Sequence, residues 1–127
     1  MASRKIEDCI PELQEKYVLF RGKMQEAGID FILTCTKRTE DEQRDLYAQG
    51  RTKPGRIVTW TLKSKHLLGK AFDIVIMKNG KLIWDTGIDT NDNSLSDWQE
   101  AGAIGESAGL IWGGRWKKPD MPHFEVV

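Results

Sequence analysis

The most constraining feature of this chain is the wide separation of its only two histidines, His66 and His123, which stand in segments that also contain carboxylates. His66 precedes Asp73, and His123 follows Asp120. Two imidazoles and one carboxylate form a ligand set suited to a catalytic zinc ion with one open position. If His66, Asp73 and His123 bind one metal, the end of the chain must return beside the segment that follows His66.

The residues around the histidines suit such a site, although each histidine alone could also be a packed structural side chain. Gly69 can adopt a positive φ between His66 and Asp73. Asp120 is the candidate general base, since a base must lie near the water but outside the ligand set. Glu125 shares a strand face with His123 by alternation, so it is either a competing base or a group that orients a ligand.

Length and charge limit the class of protein. The 127 residues predict a single domain over residues 1–127, and a monomer is expected. The 19 basic and 19 acidic residues balance, which argues against nucleic acid as a partner. We find no signal-peptide pattern and no apolar run long enough to enter a membrane, so synthesis in the cytoplasm is expected. The two cysteines, Cys9 and Cys35, are expected to be small buried side chains.

Hydrophobic periodicity predicts an α+β domain in which about three helices pack on a small antiparallel sheet. Helices are predicted at 6–27, 40–49 and 97–108, strands at 29–36, 71–77, 82–84, 110–112 and 123–126, and a short extended piece at 57–61. Thr39 and Glu42 fit a capping box that opens the second helix. Asn79-Gly80 is the signature of a tight hairpin turn.

The motifs around these residues resemble a known family. The pattern Ser64-x-His66-x-x-Gly69-x-Ala71-x-Asp73 is similar to the S-x-H-x-x-G-x-A-x-D motif of zinc peptidases that cut peptidoglycan stems. These are the D-Ala-D-Ala carboxypeptidases and L-alanyl-D-glutamate endopeptidases, related in fold to hedgehog domains and lysostaphin. The ending Trp112-Gly-Gly-Arg-Trp116 followed by Asp120-Met-Pro-His-Phe-Glu125 resembles the endopeptidase branch, which includes phage endolysins.

The resemblance implies a role for each matching residue. His66, Asp73 and His123 would be ligands of one Zn²⁺, and Asp120 would be the base. Arg38, followed by Gln43 and Leu46-Tyr47 as in the family's upstream element, would stabilise the oxyanion. Without the family, a surface salt bridge from Arg38 to the acidic run 40–42 would be the simpler expectation. Ser64 would orient its loop.

Two departures from the family pattern concern substrate selection. Lys37 replaces the aromatic residue that usually precedes the arginine, and Arg115 stands where the endopeptidases often have an acidic residue. Most tryptophans are expected to pack in or near the core. Trp112 and Trp116 flank the site and are the candidates for substrate contact, while Trp60, Trp84 and Trp98 could also line a groove.

The implied function is hydrolysis of the L-Ala–D-Glu bond of the peptidoglycan stem peptide, by a phage or prophage endolysin that a holin releases to the cell wall. One alternative is a D,D- or L,D-carboxypeptidase with the same zinc chemistry. The other is a non-catalytic zinc module that binds wall peptides or a protein, against which the retained Asp120 and Arg38 argue.

Overall fold

The computed structural model describes residues 2–59 and 61–127, and the predicted α+β fold is confirmed. Among these residues there are three α-helices, five strands and three short 3-10 turns. The helices are α1 (Pro11–Ala27), α2 (Glu40–Ala48) and α3 (Asp97–Ser107), and the strands are β1 (Asp30–Cys35), β2 (Ala71–Lys78), β3 (Lys81–Ile83), β4 (Ile111–Trp112) and β5 (His123–Glu125). The 3-10 turns are Ile6–Asp8, Lys65–Leu68 and Gly113–Arg115.

The prediction of one helix over 6–27 is wrong at its start. The chain forms a 3-10 turn at Ile6–Asp8 and then breaks, and α1 begins only at Pro11. Proline has no backbone N–H and keeps the residue before it out of the α region, and Ile10 is extended at φ −64° and ψ 152°. The apolar spacing crosses this break because Ile6 and Ile10 also pack against the core.

Other local signals hold. Thr39 Oγ1 accepts from the Glu42 backbone N–H while the Glu42 carboxylate accepts from the Thr39 N–H, so the capping box is confirmed. Asn79 and Gly80 both have positive φ, as a two-residue hairpin turn requires. The extended piece predicted at 57–61 contains residue 60, outside the described residues, and its remaining positions belong to no strand. Within the described part of the chain, no helix combines the length and apolarity needed to cross a bilayer.

The sheet has the strand order β1-β2-β5-β4, with every pairing antiparallel and β3 added to the far end of β2. In this register Asp73 on β2 lies opposite Cys35 on β1 and opposite His123 on β5. Phe72 pairs with Phe124 in the same ladder. Since neighbouring residues of a strand face opposite sides, Asp73 and His123 share one face and the phenylalanines the other. The fold therefore brings the chain end beside β2, as a shared metal site requires.

The phenylalanine face of the sheet is covered by α1 and α3. Phe20 of α1 packs against Phe124 with ring centroids 4.9 Å apart, and Phe72 stacks on Phe124 at 5.4 Å. All three side chains are fully buried in one apolar cluster. The core thus fills one side of the sheet and leaves the Asp73 face to the functional site.

The glycines of α3 allow this helix to lie close to the last two strands. A Cβ added at Gly102 would overlap the ring of Trp112, and one at Gly105 would lie 2.5 Å from Cε2 of Phe124. Glycine lowers helix propensity by about 1 kcal/mol relative to alanine. Here the missing side chain makes room for two buried aromatic rings.

We expect Gly102→Ala to destabilise the fold by about 1–3 kcal/mol, because the added methyl group has no space beside Trp112. The matched control is Gly22→Ala in α1, where an added Cβ meets nothing within 4 Å. That change should stabilise the protein by about 0.5–1 kcal/mol through helix propensity. Urea unfolding measures the free energy of unfolding of both variants. Equal changes in the two would contradict the argument that Trp112 leaves no space at Gly102.

Candidate active site

The open face of the sheet carries a cleft of about 510 Å³, whose lining includes residues 58, 59, 61, 63–65, 116 and 120. It brings together residues that are far apart in the sequence. Most of the predicted site residues line it, namely Arg38, Ser64, His66, Asp73, Trp116, Asp120, His123 and Glu125. Two predicted residues, Gln43 and Trp112, are not part of this lining, although Gln43 is hydrogen-bonded to Arg38 and Thr61, which are.

Asp73 is the centre of this arrangement. Its Oδ1 lies 3.2 Å from Nε2 of His66 and 3.1 Å from Nδ1 of His123. The imidazole centroids are 5.1 Å apart, and both histidines are buried. One carboxylate oxygen and two ring nitrogens therefore converge, as the sequence predicts.

The hydrogen bond made by Nδ1 of His66 shows which ring nitrogen carries a proton. Nδ1 lies 2.6 Å from the backbone carbonyl oxygen of Thr36, which can only accept, so Nδ1 carries the proton and donates it. Nε2 is buried and has no well-directed hydrogen-bond partner. Ser64 Oγ accepts from the His66 backbone N–H, and Gly69 ends the turn at φ 66°. With Nδ1 donating to a carbonyl group, Nε2 is the nitrogen through which His66 could hold a metal ion.

His123 has a similar second contact, made by Glu125. His123 Nε2 lies 2.8 Å from Oε1 of Glu125, which leaves Nδ1 to face Asp73. Strand alternation places Glu125 on the His123 face, while Phe124 points into the core. Of the two roles weighed for Glu125, the geometry fits the one in which it orients a histidine.

These contacts shift the pKa values of His66, His123 and Asp73. Burial opposes a charge on His66, but hydrogen bonds to Asp73 and Cys35 outweigh it and raise its pKa to about 10. Burial likewise opposes a charge on His123, and bonds to Asp73 and Glu125 raise its pKa to about 9. Burial would raise the pKa of Asp73, yet the two histidines hold it well below its usual value.

Cys35 is a site neighbour that the sequence analysis missed. Its Sγ lies 3.5 Å from Nδ1 of His66, and Cys35, His66 and Asp73 form a group whose candidate ligand atoms lie within 4.8 Å of one another. Cys35 is buried as predicted, but it contacts His66 and Arg38 and does not belong to the main apolar cluster. The signal that could have found it is its place at the end of β1, three residues before Arg38.

Asp120 is held by the backbone of the loop between β4 and β5. Its N–H donates to the Gly113 carbonyl at 2.9 Å, and its own carbonyl accepts from the His123 N–H at 3.2 Å. A Cβ on Gly113 would lie 2.5 Å from the Asp120 carbonyl oxygen, so the glycine permits this close approach. Burial of the carboxyl group and the nearby Asp73 raise the pKa of Asp120, which strengthens it as a proton acceptor.

Arg38 is bound to neutral partners. It donates from Nη1 to Oε1 of Gln43 at 2.6 Å and from Nη2 to Sγ of Cys35 at 3.2 Å. Gln43 in turn donates to the Thr61 carbonyl at 2.6 Å. In the described residues no carboxylate pairs with Arg38, so the simpler expectation of a salt bridge to residues 40–42 is wrong. Its charge remains available to the cleft.

The tryptophans divide into supporting and exposed groups. Trp112 is 1% exposed and donates from Nε1 to the Met121 carbonyl at 2.8 Å, so direct substrate contact is wrong for it, and it supports the loop. Trp116 is 40% exposed and its ring lies 5.1 Å from that of His123. Trp98 is buried under the exposed Trp84, and the two line a second pocket that shares Asp120 with the cleft. Trp60 lies outside the described residues.

Comparison with known proteins agrees with this geometry. A family model described as D-alanyl-D-alanine carboxypeptidase matches residues 58–126, which include His66, Asp73, Asp120 and His123 but not Arg38. The peptidoglycan L-alanyl-D-glutamate endopeptidase CwlK of Bacillus subtilis (strain 168) is 39% identical over 124 residues, which are 94% of this chain and 74% of that protein. The crystal structure of the Serratia marcescens L-Ala D-Glu endopeptidase ChiX matches with a TM-score of 0.73 at 24% identity. That match covers 100% of this chain and 89% of the other, and it shows the fold.

For the protein stripped of metal, we expect stability to fall as pH rises above about 6.5. The folded chain keeps protons on His66 and His123, with pKa values of about 10 and about 9, which the unfolded chain has already lost. The stability from their contacts with Asp73 is therefore complete below pH 6.5 and lost as pH rises through those values. Urea unfolding in chelator across this range measures the slope. Asp73→Asn should flatten it, and a rise in wild-type stability would contradict the assignment.

Proposed function

Because this chain belongs to the M15 family of metallopeptidases, matched here by its D-alanyl-D-alanine carboxypeptidase model, we propose that it hydrolyses the L-alanyl–D-glutamate bond of peptidoglycan stem peptides. The observation that carries the proposal is the convergence of His66 and His123 on one oxygen of Asp73, with Asp120 in the same cleft. The relative that shares 39% of its residues with this chain bears the name of that activity.

We propose that the cleft binds one zinc ion through Nε2 of His66, Asp73 and Nδ1 of His123. The donor spacing supports this, because tetrahedral bonds of about 2.0–2.1 Å place neighbouring donor atoms roughly 3.3 Å apart. The distances from Asp73 Oδ1 to the two nitrogens are 3.2 and 3.1 Å. The other nitrogen of each ring has its own acceptor, as metal-bound histidines usually do.

Cys35 would lie outside this ligand set. Its thiol is beside Nδ1 of His66, which donates to the Thr36 carbonyl and so does not bind the metal, whereas Nε2 faces Asp73. Cys35 Sγ also accepts from Arg38, which gives it a role in holding the guanidinium. We therefore propose that Cys35 packs against the site and positions Arg38.

A zinc ion in this position would supply Lewis acidity towards the scissile carbonyl and the attacking water. Asp120 takes the proton from that water and passes it to the leaving amine, for which its raised pKa suits it. Arg38 stabilises the negative charge that develops on the carbonyl oxygen. Its guanidinium charge is available for this role because no carboxylate among the described residues pairs with it. Gln43 fixes Arg38, Glu125 orients His123, and Ser64 holds the turn that carries His66.

A carboxypeptidase with the same groups is the second candidate, since the matching family model carries that description. The two activities leave different products. An endopeptidase releases peptides with a new N-terminal D-glutamate or its amide, and a carboxypeptidase releases free D-alanine.

We expect purified peptidoglycan treated with the zinc-loaded protein to yield new N-terminal D-glutamate, detected by mass spectrometry. A chelator should abolish the release, and added zinc should restore it, because the histidines and Asp73 have no other means of polarising the carbonyl. Free D-alanine would move the protein to the carboxypeptidase branch. If folded, zinc-loaded protein cleaves none of several types of peptidoglycan, both the endopeptidase and the carboxypeptidase assignments are contradicted.

We expect Asp120→Asn to lower the rate by about 10²–10⁴-fold without loss of zinc, because the amide cannot accept the proton. Asp30→Asn, at an exposed position at the start of β1, is the matched control and should keep the wild-type rate. Zinc content of the same preparations tests the ligand set, which His123→Ala should disrupt and Cys35→Ser should leave intact. Wild-type activity in Asp120→Asn, or zinc loss in Cys35→Ser, would contradict these assignments.

We further propose that the protein serves phage-type lysis, in which a holin gives it access to the wall. The support is the likeness of the Trp112–Trp116 and Asp120–Glu125 motifs to the branch that includes phage endolysins. Expression in a bacterium with a susceptible wall tests it. Lysis that needs a co-expressed holin supports this role, and lysis without a holin contradicts it.

A further inference from the structure

The acidic residues that line the cleft already have partners or an assigned role, whereas some of its lysines do not. Its acidic members are Asp73, Asp120 and Glu125, of which two are bonded to histidines and the third is placed as the base. Its basic members include Lys63 and Lys65, on the segment that leads into the His66 turn. The adjoining part of the cleft adds Lys117 and Lys118 and shares Trp116 and Asp120 with the first. In a chain of net charge zero, one cleft has collected several lysines.

Some exposed cations of the protein pair with nearby carboxylates, as Lys16 does with Glu12 and Lys53 with Asp45. Neither Lys63 nor Lys65 has a carboxylate partner among the described residues. The acid groups of the cleft are engaged by the histidines or assigned to proton transfer. The two ammonium groups are therefore free to bind an anion from outside.

The scissile bond fixes where a substrate anion would lie. D-Glutamate supplies the nitrogen of that bond, and one of its two carboxyl groups continues the stem peptide. The other is either a free carboxylate or a carboxamide, and it lies within a few bonds of the scissile nitrogen. Lys63 and Lys65 line the same cleft as Asp120, which in the proposed mechanism passes the proton to that nitrogen. Arg38 is already held by Gln43 and Cys35 for its proposed oxyanion role.

We propose that Lys63 and Lys65 form a carboxylate subsite that selects stem peptides whose D-glutamate carries a free carboxyl group over those in which it is amidated. This inference rests on the proposed endopeptidase function. A hydrogen bond to a charged group contributes more than one to a neutral amide, so the preference follows from the charge of the substrate. The subsite is open to solvent, so the preference should weaken as salt is added.

The test compares two synthetic stem peptides that differ only in this group, free acid against carboxamide. Wild-type protein should cleave the acid with a kcat/KM about tenfold higher, the ratio that one charged hydrogen bond supports. The double change Lys63→Gln and Lys65→Gln should bring the ratio close to one. Lys63→Arg with Lys65→Arg should retain it, because the charges remain. Lys23→Gln, on the exposed surface of α1, is the control and should keep the wild-type ratio.

Binding of the same peptides to zinc-loaded Asp120→Asn separates this subsite from catalysis. If Asp120→Asn binds the acid peptide more tightly than the amide, and the added double glutamine change removes this preference, the subsite is supported. This holds even if the wild type cleaves neither peptide, a result that would overturn only the endopeptidase function. Equal binding and equal cleavage of both peptides would overturn the subsite while leaving the endopeptidase intact. A ratio unchanged by the double glutamine substitution would overturn the assignment to these lysines.

Discussion

The whole site depends on one carboxylate oxygen that two imidazoles share. Asp73 can hold this position because β2 is paired on both sides, with Cys35 opposite it on β1 and His123 opposite it on β5. The ladder that fixes the sheet therefore also holds Asp73 and His123 side by side. His66 reaches the same oxygen from a turn closed by Gly69, and its Nδ1 is tied to β1 through the Thr36 carbonyl. Backbone pairing sets the geometry, and side-chain contacts only refine it.

The two faces of this small sheet have different roles, one in packing and the other in the candidate site. One face is filled by aromatic rings, which become closely packed because the glycines of α3 carry no side chains. The other face holds charged and polar groups that are costly to bury unless each has a partner. Glu125, Gln43 and Thr36 supply those partners, and Nε2 of His66 faces Asp73 without a well-directed hydrogen bond.

Much of this could be predicted from the sequence, and the exceptions have physical causes. Spacing and turn residues placed His66, Asp73 and His123 on converging segments, and alternation separated Glu125 from Phe124. Periodicity could not locate the start of α1, because a 3-10 turn before Pro11 continues the same apolar spacing. It could not place Cys35 beside His66, because that depends on the register of β1 against β2. It also could not show that Trp112 packs without reaching the cleft, because that depends on Gly102 and Gly114 beside the indole ring.

The position of Asp73 in a doubly paired strand has a consequence for motion. Backbone amides around Asp73 and His123 can exchange with solvent only when the ladder itself opens, so that part of the site shares the lifetime of the global fold. Asp120 belongs instead to the loop between β4 and β5, whose backbone bonds to Gly113 and His123 lie outside the ladder. We expect the amides of this loop to exchange with solvent through local openings, faster than those of β2. In the proposed mechanism, the groups that would hold the metal then belong to the part of the fold that opens last, and the proton acceptor belongs to a part that opens more readily.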